Sequence, residues 1–467
     1  MALRQYQLPA GRALFVNAGG SFFLASRAAC MRLYNSALLD ADHDFLHLHG
    51  HVLEPGDKLG HVARAYAEAQ RAAVSRQLDY LILVPTLRCD LSCSYCQVSR
   101  VAATQPGYDW SEDTAEAVLH LLDTLATSQI KIEFQGGEPT LRPDLVRRVI
   151  ERCARFDQRE FVICTNLQRL DDDILALLDH PDVFISTSLD GSPDVHSRNR
   201  TGSAQATDRF FDNLATVVAR YGPKKIAALP TIDPAAPPDI DALIDSYNRH
   251  GLESIFLRPI NYQGFARKRH RDAREQGDDW RAYYERFVRR LIARNWQDRS
   301  RVLEEAYLSI ALRRIFRPGT ERHVDLRSPN PLGIDYIVVD HDGVVYPTDE
   351  ARMLARAGVI DLAIGTVAAG WDSPARDLLN KHSSNSDDPA CQTCAFQPFC
   401  GRDLVDDIAR YGRIDLPRHE TEFCRRHTHL FSFIFRLLYE EDEAVRYSLA
   451  RWLRLPGTLA PAMDYLA

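Results

Sequence analysis

Short runs of apolar and β-branched residues alternate with longer amphipathic stretches between about residue 78 and residue 265. The short runs predict β-strands at 80–85, 130–135, 160–165, 183–188, 225–230 and 254–259. Between them, apolar residues recur with helical spacing near 110–127, 142–155, 170–179, 206–221 and 237–250. Strands and helices that alternate in this way predict an α/β fold with a parallel sheet built from βαβ crossovers. Six strands are too few for an eight-stranded barrel, so an open sheet and a partial barrel both fit.

The pattern differs on both sides of this repeat. At the N-terminal side, two apolar runs flank Gly19-Gly20 like a hairpin, and helical patterns follow at about 26–38 and 61–76. We therefore divide the chain into a small α+β module at 1–75, the strand–helix repeat at 78–265, a helical connector at 266–330, a cysteine-rich domain with a hairpin at 331–440, and a C-terminal tail at 441–467.

Composition and charge exclude several classes of protein. The chain has 467 residues, with 57 Lys and Arg against 64 Asp and Glu, and a formal net charge of −7. This acidic balance argues against a general nucleic-acid-binding protein, which needs a broadly basic face. No apolar run is long enough to predict a transmembrane helix, and no secretory signal pattern is present, so no membrane partner is expected. We predict a cytoplasmic protein.

The cysteines point to metal chemistry. Ten cysteines occur in the chain, and in a reducing compartment clustered cysteines bind metal more often than they form disulfides. Cys89, Cys93 and Cys96 follow the first predicted strand with C-x3-C-x2-C spacing. A [4Fe–4S] cluster normally takes four thiolates, so three from one loop leave one iron open to a substrate or cofactor. The alternatives are a three-cysteine zinc site completed by a distant histidine, and chance clustering.

Further motifs follow the later predicted strands in order. They are Tyr95 just before the third cysteine, Gly136-Gly137-Glu138-Pro139 after the second strand, Thr165-Asn166 after the third, Ser188 to Gly191 with His196 and Arg200 after the fourth, and Leu257-Arg258-Pro259 at the sixth. Over residues 78–265 this set resembles the radical S-adenosylmethionine (radical SAM) enzymes. The resemblance implies a partial (β/α)6 TIM-like barrel with its motifs at the carboxyl ends of the strands, where ligands bind in such folds.

The resemblance also implies roles for these residues. The three cysteines would hold a [4Fe–4S] cluster whose open iron binds SAM, and one electron would cleave SAM to a 5′-deoxyadenosyl radical that abstracts hydrogen from the substrate. Glu138 and the neighbouring backbone would hold the methionine amino group, and Ser188 and Arg200 its carboxylate or the ribose. For Ser188 and Arg200 the alternatives are a strand-end cap and a surface cation. The implied cofactor-binding residues are Tyr95, Gly136, Gly137, Glu138, Pro139, Asn166, Ser188, Asp190 and Arg200.

A second cysteine group lies in the C-terminal part of the chain. It supplies four thiolates, from Cys391, Cys394, Cys400 and Cys424. Four ligands make a closed site, which is either a complete [4Fe–4S] cluster or structural zinc. After a radical SAM core, the C-x2-C-x5-C spacing is similar to the SPASM extension, which carries auxiliary clusters in peptide-modifying enzymes. The resemblance therefore implies an auxiliary [4Fe–4S] cluster.

The sequence departs from the full SPASM pattern in three places, one of which is the stretch Ser328 to Ile334 before the hairpin, where no cysteine occurs. Thr348 and Leu404 stand where further cysteines are expected, so we expect one auxiliary cluster and not two. Asp349 follows the first of these positions, where an Asp acts as a base in some SPASM enzymes; the alternative is a turn cap. The remaining cysteines, Cys30, Cys153 and Cys164, are expected to be small buried core residues.

The N-terminal unit, the hairpin region and the single auxiliary cluster together resemble the maturases of His-Xaa-Ser peptide-modification systems. That implies a ribosomally made precursor peptide as substrate, a modified side chain such as a cross-link as product, a second radical SAM protein as partner, and a flavodoxin- or ferredoxin-type electron donor. The N-terminal module would bind the leader peptide by β-strand addition, or simply cap the barrel. The alternatives are a radical SAM enzyme of the sulfatase-maturating type or with a non-peptide substrate, and a non-enzymatic, metal-containing peptide-binding scaffold.

Overall fold

The structure is a computed structural model that describes residues 3–261, 263–264, 266–270, 277–319 and 323–467, without the side chains of 268 and 269. Parts of the predicted connector at 266–330 therefore lie outside the described residues. The same holds for residues 1 and 2 of the N-terminal module and for residues 262 and 265 near the end of the strand–helix repeat.

The N-terminal module forms a small antiparallel sheet with helices beside it. Its elements are β1 (Arg4–Gln7), β2 (Ala13–Val16), β3 (Phe22–Ala25), α1 (Arg27–Tyr34), α2 (Asp40–Leu48) and α3 (Lys58–Ala72). The predicted hairpin is the β2–β3 pair, and β1 pairs antiparallel with β2. The first helix, predicted at about 26–38, ends at Tyr34, and a separate helix, α2, follows it.

The strand–helix repeat folds as predicted into a parallel sheet. Its elements are β4 (Tyr80–Leu83), β5 (Arg88–Cys89), β6 (Val101–Ala102), α4 (Glu112–Thr124), β7 (Gln129–Phe134), α5 (Pro143–Arg152), β8 (Gln158–Cys164), α6 (Asp172–Leu178), β9 (Val183–Ser188), α7 (Pro193–His196), α8 (Ala204–Tyr221), β10 (Ile226–Leu229), β11 (Thr231–Ile232), α9 (Ile240–Arg249), β12 (Ser254–Ile255) and β13 (Arg258–Pro259). The parallel order is β10–β9–β8–β7–β4, with β12 beside β10. This confirms the α/β fold and is consistent with a partial TIM barrel.

The sixth predicted strand is shorter than expected. The run 254–259 predicts one strand, but β12 ends at Ile255, and Arg258–Pro259 pairs with β11 as the separate strand β13. One physical cause is visible in the backbone between the two short strands. The N–H of Leu257 donates to Oε1 of the buried Glu305 at 3.2 Å, so this N–H is withdrawn from any strand ladder.

The remaining elements cover the barrel and extend its sheet. They are α10 (Ala266–Arg269), α11 (Gly277–Gln297), β14 (Glu304–Glu305), α12 (Ala306–Phe316), β15 (Tyr336–Val339), β16 (Val344–Tyr346), α13 (Asp349–Arg356), β17 (Gly365–Thr366), α14 (Pro374–Asn380), α15 (Pro389–Gln392), α16 (Leu404–Tyr411), α17 (Glu422–Leu438), α18 (Glu443–Trp452) and β18 (Tyr465–Leu466). The predicted hairpin is β15–β16, and β15 pairs parallel with β4 of the barrel.

Segment 441–467 also contributes secondary structure, with helix α18 and strand β18. β18 joins the N-terminal sheet in parallel beside β3. Among the described residues, no helix is both long and apolar enough to cross a membrane.

Candidate functional site

The first cysteine group lies in the loop that follows β4. Cys89 is the last residue of β5, and the loop turns back so that the Cys96 N–H donates to the Cys93 carbonyl at 3.3 Å. The N–H of Leu91 points at the Cys89 Sγ, 3.5 Å away. Burial raises the pKa of Cys89 to about 12 and also raises that of Cys93. The free thiols are therefore protonated at neutral pH, and a bound metal would deprotonate them.

The Gly-Gly-Glu-Pro motif is packed against the segment that leads into this loop. The Gly137 N–H donates to the Thr86 carbonyl at 2.9 Å, and the Glu138 N–H donates to the Arg88 carbonyl at 2.8 Å. A Cβ on Gly137 would lie 2.1 Å from the Arg88 carbonyl oxygen, and one on Gly136, where φ is +118°, would lie 2.4 Å from that of Thr86. The two glycines therefore let two backbones touch and set the position of the cysteine loop.

Hydrogen bonds of Glu138 connect the loop after β7 with the loop after β8, and through Asn166 with the cysteine loop. Its carboxylate accepts from the Thr140 hydroxyl at 2.7 Å and from the Asn166 N–H at 2.7 Å, and its side chain is buried. The Asn166 side chain in turn donates to Asp90 in the cysteine loop at 2.6 Å. Burial raises the pKa of Glu138. In this structure Glu138 and Asn166 form hydrogen bonds within the protein, and their contact with SAM stays a prediction.

Tyr95, Asp190 and Arg200 form a buried network under the cysteine loop. The Tyr95 hydroxyl donates to Asp190 Oδ2 at 2.6 Å, and Arg200 Nη1 donates to that hydroxyl at 2.9 Å. The Asn199 side-chain amide also donates to Asp190 Oδ2, at 3.2 Å, while the main-chain carbonyl of Asn199 accepts from the Ser94 N–H at 2.8 Å. Sequence reasoning placed Tyr95, Asp190 and Arg200 around SAM. The contacts show how they fix the loop, and the positive charge of Arg200 lies beside Cys93.

A large cavity runs inside the barrel. Its volume is about 1760 Å³, and Ser186 of β9 and Gln135 after β7 are among the residues that line it. Ser188 ends β9 and is half-buried, and Pro139 is buried at the start of a short 3-10 turn. Pockets for small ligands usually measure about 300–1,000 Å³, so this cavity has room for more than SAM alone.

Sequence reasoning missed a polar cluster on this inner surface. Glu133 accepts from the Tyr80 hydroxyl at 2.6 Å and from the Gln135 amide at 2.8 Å. The Cys164 thiol lies 3.3 Å from the same carboxylate, so the prediction that Cys164 is an apolar core residue is wrong. The alternation along β7, with Ile130, Ile132 and Phe134 buried and the residues between them less so, was the signal that could have placed Glu133 inside the barrel.

Asp349 and Glu350 reach the same cavity from the domain that follows the hairpin. Thr348, at a position expected for cysteine in the full SPASM pattern, caps α13 by accepting from the Ala351 N–H at 3.0 Å. Asp349 is buried and pairs with Arg352 at 2.7 Å, so its role as a base stays a prediction. Burial and the neighbouring Asp349 raise the pKa of Glu350 to about 7. A carboxyl group with such a pKa in a cleft is a candidate for proton transfer.

The second cysteine group comes together around the start of α17. Cys391 lies in α15, Cys394 and Cys400 follow it, and Cys424 lies in the first turn of α17. Burial, together with the other three thiols of the group, raises the pKa of Cys400. The positive charge of Arg418 is close enough to favour the thiolate form of Cys391. The structure therefore gathers four thiols and a cation.

The spacing of these thiols bears on the choice between zinc and a cluster. A tetrahedral zinc site with Zn–S bonds of about 2.3 Å brings its sulfur atoms within about 3.8 Å of one another. Among the described residues, two groups of His, Cys, Asp or Glu place three ligand atoms within 4.8 Å, namely His49, His51 and Asp464, and Asp340, His341 and Asp342. Neither group contains a cysteine, so in the described part of the chain no three thiols lie within 4.8 Å of one another, which is wider than the sulfur spacing of a zinc site.

Residues 83–250 match the family model of the Radical SAM superfamily. The chain contains a radical SAM domain. The matched stretch holds the cysteine loop, the Gly-Gly-Glu-Pro motif and the Tyr95 network described above. The superfamily that this stretch matches consists of enzymes that use a [4Fe–4S] cluster and SAM.

Curated relatives match parts of the chain around this radical SAM domain. GTP 3′,8-cyclase 1 of Pseudomonas aeruginosa is 26% identical over 220 residues, which are 47% of this chain and 63% of that protein. GTP 3′,8-cyclase of Haemophilus influenzae is 33% identical over 103 residues, 21% of this chain and 29% of that protein. An uncharacterized protein of Methanocaldococcus jannaschii is 27% identical over 117 residues, 24% of this chain and 39% of that protein. The chain thus spans less than two thirds of the length of these relatives.

Solved structures share the fold over more of the chain. Native anSMEcpe with bound AdoMet superimposes with a TM-score of 0.59 at 16% identity, covering 76% of this chain and 97% of that one. Native anSMEcpe with bound AdoMet and Cp18Cys peptide gives a TM-score of 0.59 at 16% identity, covering 77% of this chain and 97% of that one. At this identity the likeness shows the fold, which extends well beyond the radical SAM domain.

The residues of the radical SAM domain fit its cofactors in their donor chemistry. Cys89, Cys93 and Cys96 offer three thiols from one loop at the carboxyl ends of the strands, which suits a cluster with one open iron. The cation of Arg200 beside Cys93 offsets the negative charge that thiolates bring. The loop also borders the barrel, because Gln97, directly after Cys96, lines the large cavity.

Proposed function

We propose that this chain is a radical SAM maturase that modifies a ribosomally made precursor peptide inside the barrel cavity. The observation that carries this proposal is that Gln97, directly after the last cysteine of the three-cysteine loop, lines a cavity of about 1760 Å³. When bound, the cluster and SAM supply a carbon-centred radical that abstracts hydrogen from the substrate. The residues of the chain would position the cluster, SAM and the substrate and would shield the radical from bulk water.

Two groups of residues have distinct tasks in this proposal. Tyr95, Asp190 and Arg200 hold the cysteine loop in position through the contacts described above. Glu133 and Glu350 face the cavity, where a carboxylate orients a cationic or hydroxyl group of the substrate and a carboxyl with a pKa of about 7 exchanges a proton near neutral pH. Asp349, which the resemblance to SPASM enzymes suggests as a base, lines the same cavity.

A peptide substrate is supported by size and by likeness. The cavity exceeds the usual volume of small-ligand pockets, and one similar structure, native anSMEcpe, holds a Cp18Cys peptide together with AdoMet. The finer assignment to His-Xaa-Ser systems rests on the layout of the sequence. So do the proposed partners, which are the precursor, a second radical SAM protein and a flavodoxin- or ferredoxin-type donor.

A small-molecule substrate is the second candidate function. It is favoured by the partial matches to GTP 3′,8-cyclases. Mass spectrometry of the co-expressed precursor separates the two candidates, because a maturase changes the precursor mass and a small-molecule enzyme leaves it unchanged. A loss of about 2 Da would indicate a cross-link or an oxidation.

An auxiliary [4Fe–4S] cluster on Cys391, Cys394, Cys400 and Cys424 belongs to the same proposal. The wide spacing of these thiols and the nearby Arg418 support it over zinc. Two cubane clusters contain about eight irons, so anaerobic reconstitution should give about eight irons per chain.

The enzyme itself is tested by SAM cleavage. Reconstituted wild-type chain, reduced with dithionite, should release 5′-deoxyadenosine, and Cys93→Ala should release none. Cys153→Ala is the matched control, because Cys153 is a buried cysteine in the apolar core outside both groups, and it should keep the activity. Equal 5′-deoxyadenosine from wild type and Cys93→Ala would refute the proposed chemistry.

A further inference from the structure

Two histidines and a carboxylate meet where the N-terminal module touches the segment that leads into β18. His49 Nδ1 lies 2.9 Å from Asp464 Oδ1, and His51 Nε2 lies 2.9 Å from Asp464 Oδ2. All three ligand atoms lie within 4.8 Å of one another. The two imidazole rings are almost parallel, with 4° between their planes. Each ring thus directs one nitrogen at the same carboxylate.

The rest of the chain holds these groups in place. His51 is 1% exposed, and its Nδ1 lies 2.8 Å from the Ser21 hydroxyl. The main-chain carbonyl of Asp464 accepts from the Leu24 N–H at 3.1 Å and from the Tyr439 hydroxyl at 2.9 Å. Metal-binding histidines commonly have their second nitrogen hydrogen-bonded in this way, which fixes the ring and the tautomer.

The hydroxyl of Ser21 suits both states of this site. Without metal, His51 Nε2–H donates to Asp464 and Nδ1 accepts from Ser21; with metal on Nε2, Nδ1–H donates to Ser21 instead. A hydroxyl serves either tautomer because it is both donor and acceptor.

The second compact group of the structure provides a contrast. In the cluster of Asp340, His341 and Asp342, the Arg356 guanidinium already supplies the positive charge, at 2.6 Å from Asp340 and 2.8 Å from Asp342. Among the described residues, the ion-pair partners of Asp464 are the two imidazoles. His49 and Asp464 are also partly open to solvent, with side chains 37% and 36% exposed, so an ion has access.

We propose that His49, His51 and Asp464 bind one zinc ion that fastens the segment 464–466 to the N-terminal module. Two imidazoles and one carboxylate are a common ligand set for zinc, with bonds of about 2.0–2.2 Å and a water molecule in the fourth position. Ligand atoms of such a centre lie about 3.3 Å apart; the three ligand atoms here already lie within 4.8 Å of one another, and the two imidazoles approach different oxygens of Asp464, so small side-chain rotations would bring them around one ion. The ion would hold β18 on β3, where the Ser26 N–H donates to the Leu466 carbonyl at 2.8 Å.

The test measures zinc on untagged chain whose iron–sulfur sites have been reconstituted first, so that the cysteines are occupied. Equilibrium dialysis against Zn²⁺ should give about one zinc per chain above the iron content. Asp464→Asn and His49→Ala should each lower the affinity at least about tenfold. Both side chains are partly exposed, so both variants should fold. His43→Ala removes an exposed histidine of α2 outside the cluster and should bind zinc like the wild type.

A second measurement tests the fastening. Hydrogen exchange of the Leu24 and Ser26 amides should slow when zinc is added to the wild type and should not respond to zinc in Asp464→Asn. Absence of zinc above the iron-loaded background would overturn the site, and so would equal zinc on wild type and both variants. Zinc that binds without slowing exchange at Leu24 would overturn the fastening. None of these readouts depends on SAM cleavage, so the site stands or falls apart from the proposed activity.

Discussion

Removing the hydroxyl of Tyr95 tests how the cysteine loop is held. Tyr95→Phe deletes the bond from that hydroxyl to Asp190, at 2.6 Å, and the bond that it accepts from Arg200, at 2.9 Å. The ring itself is 7% exposed and packs with Ile260 and Ala266, so phenylalanine fills the same space. The change therefore removes hydrogen bonds and leaves the packing in place.

The expected cost follows from the charges at both ends of these bonds. A hydrogen bond to a charged group contributes about 1.5–3 kcal/mol, which sets an upper limit of about 3–6 kcal/mol for two. Asp190 keeps the Asn199 amide at 3.2 Å and the Thr231 N–H at 3.2 Å, and Arg200 stays beside the ring. We therefore expect a net loss of about 2 kcal/mol in the free energy of opening the loop, which corresponds to about a 30-fold higher population of open loop.

Hydrogen exchange at Ser94 reports this opening, because its N–H donates to the Asn199 carbonyl at 2.8 Å. Exchange of this amide should be about 30-fold faster in Tyr95→Phe than in wild type when opening is fast and reversible. Tyr108→Phe is the matched control, since Tyr108 lines a small pocket with Cys93 and Cys96 but stacks on His341; it should change exchange by less than about twofold. Equal exchange in wild type and Tyr95→Phe would refute the view that this network holds the loop.

Three further changes have defined outcomes. Gly137→Ala forces a Cβ to within 2.1 Å of the Arg88 carbonyl oxygen; it should displace the cysteine loop and leave about four irons per chain in an iron assay. Cys424→Ser should also leave about four irons, but with SAM binding retained in calorimetry; retention of about eight would exclude Cys424 as a ligand. Burial raises the pKa of Glu305 from 4.5 to about 7, so wild type is stabilised at low pH and loses that stability as pH rises through about 7. Relative to wild type, the melting temperature of Glu305→Gln should therefore rise between about pH 4.5 and pH 7 and then stay level, and a constant difference would refute this assignment.

The alternation of strands and helices was readable from the sequence because local patterning determines it. The six predicted strands overlap β4, β7, β8, β9, β10 and β12, and helices α4 to α9 lie between these strands. Each strand is a short β-rich run next to a helix-length amphipathic stretch, so propensity and burial favour the same structure. Helix α2 was missed because its nine residues include three Asp and two His, which weaken the apolar periodicity.

The polar interior of the barrel was not readable in the same way. Cys164 lies in an apolar strand, and its sequence neighbours do not reveal that its thiol lies next to Glu133 of the paired strand β7. That neighbour depends on the register between β7 and β8, in which Glu133 pairs with Val162. Register is a long-range property, since both strands are fixed only when their apolar faces are buried against helices. Similarly, the pairing of β15 with β4 joins residues that are about 250 positions apart, and no local pattern encodes it.

Leader-peptide binding by strand addition and the proposed zinc site both involve the β3 edge of the N-terminal sheet. Strand addition by a leader peptide needs a free edge, but β18 pairs with β3 on one side, and Gln5 of β1 bridges to Cys394 on the other. β18 is two residues long, and at a net value of about 0.5–1.5 kcal/mol per hydrogen bond its few backbone bonds hold it weakly. The β3 edge is also kept closed by contacts outside this ladder: Asp464 contacts His49, His51 and Tyr439, and Leu466 is buried in the core of the N-terminal module. On the two proposals, a peptide that pairs with β3 has to displace β18 and these contacts, so peptide binding should weaken zinc binding and zinc binding should weaken peptide binding by the same factor.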